Sequence, residues 1–330
     1  MTRPIVNMLL SMMFLTSAGT VSGTPHQDSD RSKEPGSVHT PETYTAEEAQ
    51  KVSKVEPQTE ELRAYALFDA AGREITFAEL IDLLAPSEVV FVGEVHNCPI
   101  THWLELKIAQ ALYERHGNSL VMGAEMLESD IQLILDEYMQ RLISPDRFGT
   151  EARLWDNYET DYHPIVFFAK EHGIPFVATN VPRRYANSVR NHGLGILDSL
   201  SDEAKRYLAP LPIPFEYDEE QSQAAFGMMA MLGHGSDTRR LAEAQAVKDA
   251  TMAWFISRNL KEGCQFLHFN GNFHSDFHNG IIAYLERYRP GTQVVTIASV
   301  RQSEIDKLSE GQYGRADFYI CVPEEMTNTY

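Results

Sequence analysis

Two Gly-x-x-His units carry the clearest chemistry in this sequence: Gly93-Glu94-Val95-His96 and Gly271-Asn272-Phe273-His274. Each ends an apolar run of strand length, at 89–92 and 265–269, and the glycine lets the backbone turn sharply and approach a ligand closely. A carboxylate and an imidazole two residues apart at a strand tip form either a metal half-site or an acid/base pair. A third apolar run, 119–125, delivers Glu125. A fourth, 175–180, delivers Asn180, with Arg183 and Arg184 just beyond it.

If these strands are parallel neighbours, their tips face one crevice, where open α/β sheets bind ligands. Glu94, His96, Glu125, Asn180 and His274 then meet although about 180 residues separate the histidines. His96, Glu125 and His274 match a catalytic zinc set with an open position. Without metal, Glu94, His96, Glu125 and His274 are the catalytic candidates, one histidine acting as general base oriented by Glu125. Arg183 and Arg184 read either as a bidentate anion clamp or as solvated charge at a helix start.

His234, between Gly233 and Gly235, is an exposed ligand or part of a glycine hinge. The other histidines have plainer readings. His116 and His172 close helices before a glycine, as cations at the negative pole. His268 sits inside an apolar strand as a satisfied core residue. His102 lies six residues from His96 and therefore off its helical face. The methionines at 228, 229 and 231 read as core or lid.

The elements that must position these residues alternate strand and helix. A short strand at 64–68 and a helix at 77–84 precede the 89–92 strand. Pro99 opens a helix to 115 whose apolar face comprises Trp103, Leu104, Leu106, Ile108, Ala111 and Leu112. Ser129 caps the next helix, an aromatic segment (Trp155, Tyr158, Tyr162) follows, and a helix at 165–171 leads to the fourth strand. Residues 189–236 are mainly helical. A long helix at 238–261, a helix at 279–289 and strands at 265–269, 293–297 and 317–322 complete the chain. Repeated βα units with buried strands predict an α/β three-layer sandwich: a mainly parallel sheet, helices on both faces, and a helical insertion in the middle of the chain.

Residues 1–23 have the layout of a secretory signal peptide: Arg3, an apolar 5–15 core, then small residues. No cysteine follows to take a lipid, so the expected product is a soluble exported protein of the periplasm or cell envelope, with no transmembrane helix after signal removal. Residues 24–58, rich in Pro, Ser, Thr, Glu and Gln, read as a disordered tether, leaving 59–330 as one α/β domain. The net charge of −19 and a pI near 5.0 argue against nucleic acid and anionic membranes. Three scattered cysteines (Cys98, Cys264, Cys321) make no disulfide framework.

The segment 89–97 with its Gly93-Glu94-Val95-His96 unit, Gly123-Ala124-Glu125-Met126, Gly271-Asn272-Phe273-His274, the helix 243–249 and the aromatic segment 155–164 together resemble the ChaN-like haem-binding family. The resemblance spans about 64–300. It belongs to a wider group with the erythromycin esterases and the Tiki/TraB proteins, associated with hydrolytic or metal-dependent chemistry. The ChaN branch implies haem as cofactor, bacterial iron acquisition, an outer-membrane uptake system as partner, and a homodimer in which haem pairs face each other. It also implies a tyrosine iron ligand supported by histidine, with Tyr158, Tyr162, Tyr185 and Tyr217 as candidates. The leading expectation is therefore haem binding for iron uptake, with Asn180, Arg183, Arg184, His234, Tyr158 and Tyr162 as cofactor contacts. The alternative is a hydrolase, of esterase or peptidase type, using the paired Gly-x-x-His site with or without zinc.

Overall fold

The computed structural model describes residues 62–220, 222–223, 225–226 and 238–330. The expected signal peptide and tether, the methionines at 228–231 and His234 lie outside the described residues. The named elements are β1 (Ala66–Asp69), α1 (Phe77–Leu84), β2 (Val89–Glu94), α2 (Pro99–His116), β3 (Leu120–Glu128), α3 (Gln132–Met139), α4 (Pro145–Glu151), α5 (His163–His172), β4 (Phe176–Asn180), α6 (Arg183–His192), α7 (Thr238–Asn259), β5 (Gln265–Gly271), α8 (Ile281–Tyr288), β6 (Val294–Gln302) and β7 (Phe318–Pro323).

The strands form one seven-stranded sheet in the order β1-β7-β6-β2-β5-β3-β4. All neighbours are parallel except the edge pair β1–β7. Strand alternation sends successive residues to opposite faces. Val90 and Val92 of β2 join Met122, Leu267 and Phe269 under α2, with Leu104, Ile108 and Leu112. Val89 and Phe91 join Phe266 and Val177 under α7 and α8, with Met252, Ile256 and Ile281. Both faces are thus covered, which is why these strands read as continuous apolar runs rather than alternating ones. The predicted three-layer sandwich is the observed architecture. The middle of the chain builds a third cluster, in which Val189, Leu197 and Leu208 pack on Val247 and Ala250 of α7. Among the described residues, no helix is long and apolar enough to cross a membrane.

The crossover from β2 leads over β5 to β3, whereas the crossover from β5 leads over β2 to β6. The chain reverses direction at this central pair, which places the crevice at the carboxyl ends of β2, β5 and β3. Glu94 is paired with Gly271 across the β2–β5 ladder. The β3–β4 register shifts between Ala124 and Glu128, and such an irregularity re-aims side chains at a sheet rim. β3 continues through Glu128 with every residue buried, beyond the expected end at Glu125.

One helix face departs from expectation. Trp103 is 46 % exposed, while Thr101, His102 and Glu105 are buried. The first turns of α2 face a polar cluster at the strand tips, and the apolar stripe begins only with Leu104 and Ile108.

Candidate functional site

The strand tips bring two histidine–carboxylate groups together. In the outer part, His96 Nδ1 donates to Glu94 Oε1 at 2.6 Å, and the buried Tyr162 hydroxyl donates to the same oxygen at 2.8 Å. Trp155 stands edge-on to the His96 ring, with centroids 5.0 Å apart. Among the described residues, no hydrogen-bond partner reaches His96 Nε2. That edge lies against Gly271, where a Cβ would sit 2.8 Å from His96 Cε1 and 2.9 Å from Nε2. The glycine is required here for close approach. Gly93 serves the same end, since a Cβ there would lie 2.6 Å from Asn272 Oδ1 and 2.9 Å from the Ile297 carbonyl.

The second group is His274, held at both nitrogens. Nε2 donates to Glu125 Oε1 at 3.0 Å, and Nδ1 to Asp249 Oδ1, with the Gln245 amide 2.7 Å from Nδ1. The Gly271 amide donates to Glu125 Oε2 at 2.8 Å, and Asn180 Nδ2 donates to the Glu125 carbonyl at 2.9 Å. Asn180 therefore positions the glutamate's backbone. Burial works against a charged His274, but the Glu125 and Asp249 carboxylates outweigh it and raise its pKa to about 9. Burial likewise works to raise Glu125, and the His274 charge and hydrogen bond hold it well below the usual carboxylate range instead. This pair is an imidazolium–carboxylate unit at neutral pH.

Beneath His96 lies a polar cluster that sequence reasoning missed. His102 Nδ1 is 3.0 Å from Glu105 Oε2 and 3.4 Å from Glu94 Oε2. Its Nε2 donates to the His96 carbonyl at 3.1 Å, with Asp161 Oδ2 3.5 Å away. Asn157 donates to both the His96 carbonyl and Asp161. The backbone amide of Thr329 donates to the Asn97 carbonyl and its hydroxyl to Asp161, which ties the chain's last residues to this rim. Burial opposes ionisation of Glu94, yet His102 and His96 bring its pKa down to about 2. Burial also disfavours the charged form of His102, but Glu94, Glu105 and Asp161 raise it to about 10. Burial and the Glu94 charge push Glu105 well above the usual range.

Several expected roles need revision on this geometry. His96, Glu125 and His274 do share the crevice, but His274 has both ring nitrogens engaged by carboxylates and offers no lone pair to a metal. Among the described residues, the group whose ligand atoms all lie within 4.8 Å of one another is Glu94, His102 and Glu105. The His96 orienter is Glu94 rather than Glu125. Tyr158 and Tyr162 are both 4 % exposed. Their hydroxyls point inward, because the chain enters α5 through a single π-helical turn at Tyr158–Tyr162 that tucks both rings into the core. Tyr185 packs under the Arg184 guanidinium, and the Tyr217 hydroxyl bonds to Thr238. Arg184 is bound to Asp130 at 2.5 Å, and Arg183, largely exposed, has Glu128 3.9 Å away. His268 is buried between Thr179 and Asn270, as a satisfied core histidine.

What the crevice offers chemically is one imidazole with an open Nε2, fixed through Nδ1 by a carboxylate. That arrangement serves equally for a metal-ligating histidine and a general base.

The fold is similar to that of ChaN from Campylobacter jejuni, whose solved structure is described as showing cofacial haem binding. The TM-score is 0.60 at 18 % identity, covering 78 % of this chain and 96 % of that one. A Bacillus cereus protein gives a TM-score of 0.44 at 9 % identity, covering 74 % of this chain and 90 % of its own. The Vibrio vulnificus MARTX toxin effector domain RRSP gives 0.40 at 16 % identity, covering 76 % and 38 %. No curated protein matches the chain in sequence. Residues 80–285, which contain both Gly-x-x-His units and the helix that carries Gln245 and Asp249, match the family described as haem-binding uptake, Tiki superfamily, ChaN. The chain belongs to that family.

Proposed function

We propose that this protein is an exported haem-binding protein serving bacterial haem or iron uptake, and that His96 is the residue that meets the haem iron. The observation that carries this reading is the His96 ring itself. Its Nδ1 proton is held by Glu94 and its Nε2 is unengaged, and the side chain is 31 % exposed at the crevice. Burial disfavours a charged His96, but the Glu94 hydrogen bond and charge outweigh it and raise its pKa, so the iron takes the Nε2 position in exchange for a proton while Nδ1–H stays on the carboxylate. When bound, haem supplies the iron and a broad apolar face. Trp155 beside His96 and Phe273 beside His274 give apolar surface for it to cover. Arg183, largely exposed near the β4 tip, is the nearer candidate for a propionate, while Arg184 would have to leave Asp130. Export, a homodimer with facing haems and an outer-membrane uptake partner belong to the same proposal.

Haem titration of the mature protein, followed by the Soret band, tests it. Wild type should take up haem stoichiometrically, and His96→Ala should shift the Soret maximum and weaken binding at least tenfold. Unchanged spectra and affinity in His96→Ala would overturn His96 as the ligand, and absence of uptake by wild type would overturn haem binding altogether.

A second reading is favoured by the same dyad. His96, oriented by Glu94, can take a proton from water while the His274 imidazolium stabilises developing negative charge, which is the equipment of a hydrolase. Turnover of activated esters by wild type, lost in both His96→Ala and His274→Ala, would support it. Zinc at the crevice has no support from His274, whose nitrogens are both occupied.

A further inference from the structure

We infer that Glu94, His102 and Glu105 form a buried site for one divalent first-row transition ion, distinct from the haem crevice above it. The three side chains are 2 %, 4 % and 0 % exposed. Two carboxyl groups converge on one imidazole nitrogen, a buried set of donors in which a metal ion could take the place of the His102 proton. Among the described residues, Glu105 Oε1 accepts no well-formed hydrogen bond, and Glu94 Oε2 has only the long 3.4 Å contact to His102 Nδ1, which is unusual for buried carboxyl oxygens.

The ligand atoms of all three residues lie within 4.8 Å of one another, close enough to share one ion. Bonds of about 2.1 Å from an ion to N and O ligands give ligand–ligand edges of about 3.0 Å in octahedral and about 3.4 Å in tetrahedral geometry. The observed edges from His102 Nδ1 are 3.0 Å to Glu105 Oε2 and 3.4 Å to Glu94 Oε2.

The outer contacts prepare the ligands for that task. His102 Nε2–H is committed to the His96 carbonyl, with Asp161 beside it, while Nδ1–H points at the Glu105 and Glu94 oxygens; an ion would take the Nδ1 position in exchange for that proton, which leaves to solvent. Backbone carbonyls and carboxylates on the far nitrogen orient metal-binding histidines in just this way. The Glu94 Oε1 atom takes the His96 and Tyr162 protons, which leaves Oε2 for the ion. One imidazole and two carboxylates suit zinc, manganese or ferrous iron better than calcium or magnesium.

The test uses the mature protein stripped with chelator and then titrated calorimetrically with Zn²⁺ and with Mn²⁺, without haem. Wild type should bind one equivalent of at least one of them, with a rise in the thermal unfolding midpoint. Glu105→Gln, which keeps the shape of the side chain, should weaken binding at least tenfold, and Asp161→Asn about tenfold through the orientation of His102. His274→Gln should bind as wild type. Circular dichroism checks that each variant is folded; should Glu105→Gln not fold, a Co²⁺ ligand-field spectrum of wild type reporting one nitrogen and carboxylate oxygens takes its place. No uptake of either ion by wild type would overturn the inference. So would full affinity in Glu105→Gln, or an ion lost in His274→Gln but kept in Glu105→Gln.

Discussion

Raising the pH should unload the His274 imidazolium and destabilise the fold by an amount the structure sets. The ring is 5 % exposed between Glu125 and Asp249, and its pKa is raised from 6.5 to about 9. Because the folded value lies above the unfolded one, the stabilisation is fully present below pH 6.5 and is lost as pH rises through 9. The gap of about 2.5 pH units, at about 1.4 kcal/mol per unit, is on the order of 3 kcal/mol. His102 titrates in the same direction toward about 10, so wild type alone would not isolate the effect. The measurement is urea unfolding at intervals between pH 6 and 10 for wild type and His274→Gln. The difference between the two free energies should shrink by about 3 kcal/mol across this interval, with the steepest change between pH 6.5 and 9. A flat difference, or a ring titrating near 6.5 by proton NMR of the folded protein, would refute the imidazolium–carboxylate reading.

Three further outcomes are expected. Gly271→Ala should weaken haem at least tenfold by capping His96 Nε2, yet cost only about 1 kcal/mol of stability, because the crowded neighbour is a part-exposed side chain; haem titration beside thermal unfolding checks both. Tyr162→Phe removes a donor to an ionised carboxylate and should cost about 2 kcal/mol in urea unfolding, with the loss greatest above the Glu94 pKa of about 2. His268, buried and with its pKa lowered to about 4, acts opposite to His274: stability should fall as pH drops from 6.5 toward 4, and a His268→Gln variant should lack that slope.

The sheet was legible because its strands are buried on both faces, so each announces itself as an apolar run ending in a chemically distinctive tip. Glu94, His96, Glu125 and His274 were legible for the same reason. The partners of these residues were not. His102 was set aside by helical spacing from His96, but His96 lies in the loop before α2, where that spacing does not apply. Asp249 and Gln245 sit in mid-helix on α7, and nothing local distinguishes a carboxylate facing inward from one facing solvent. Tyr162 was named among the candidate cofactor contacts, but its hydrogen bond to Glu94 was not legible, because it depends on the single π-helical turn that brings the ring inward. The Asp130 that occupies Arg184 follows the tip of β3 (54 residues earlier in sequence) and depends on how β3 and β4 are placed.

Glu94 presents its two oxygens to two different imidazoles, Oε1 to the part-exposed His96 and Oε2 to the buried His102. A carboxylate divides one negative charge between its oxygens, so whatever draws on one depletes the other. Any increase of positive charge on the His102 side makes His96 a poorer electron donor, and a ligand that pulls on His96 loosens the hold on the buried side by the same free energy. The two imidazoles therefore behave as a balance with Glu94 as its beam. Occupancy inside would be reported at the surface without any movement of the backbone.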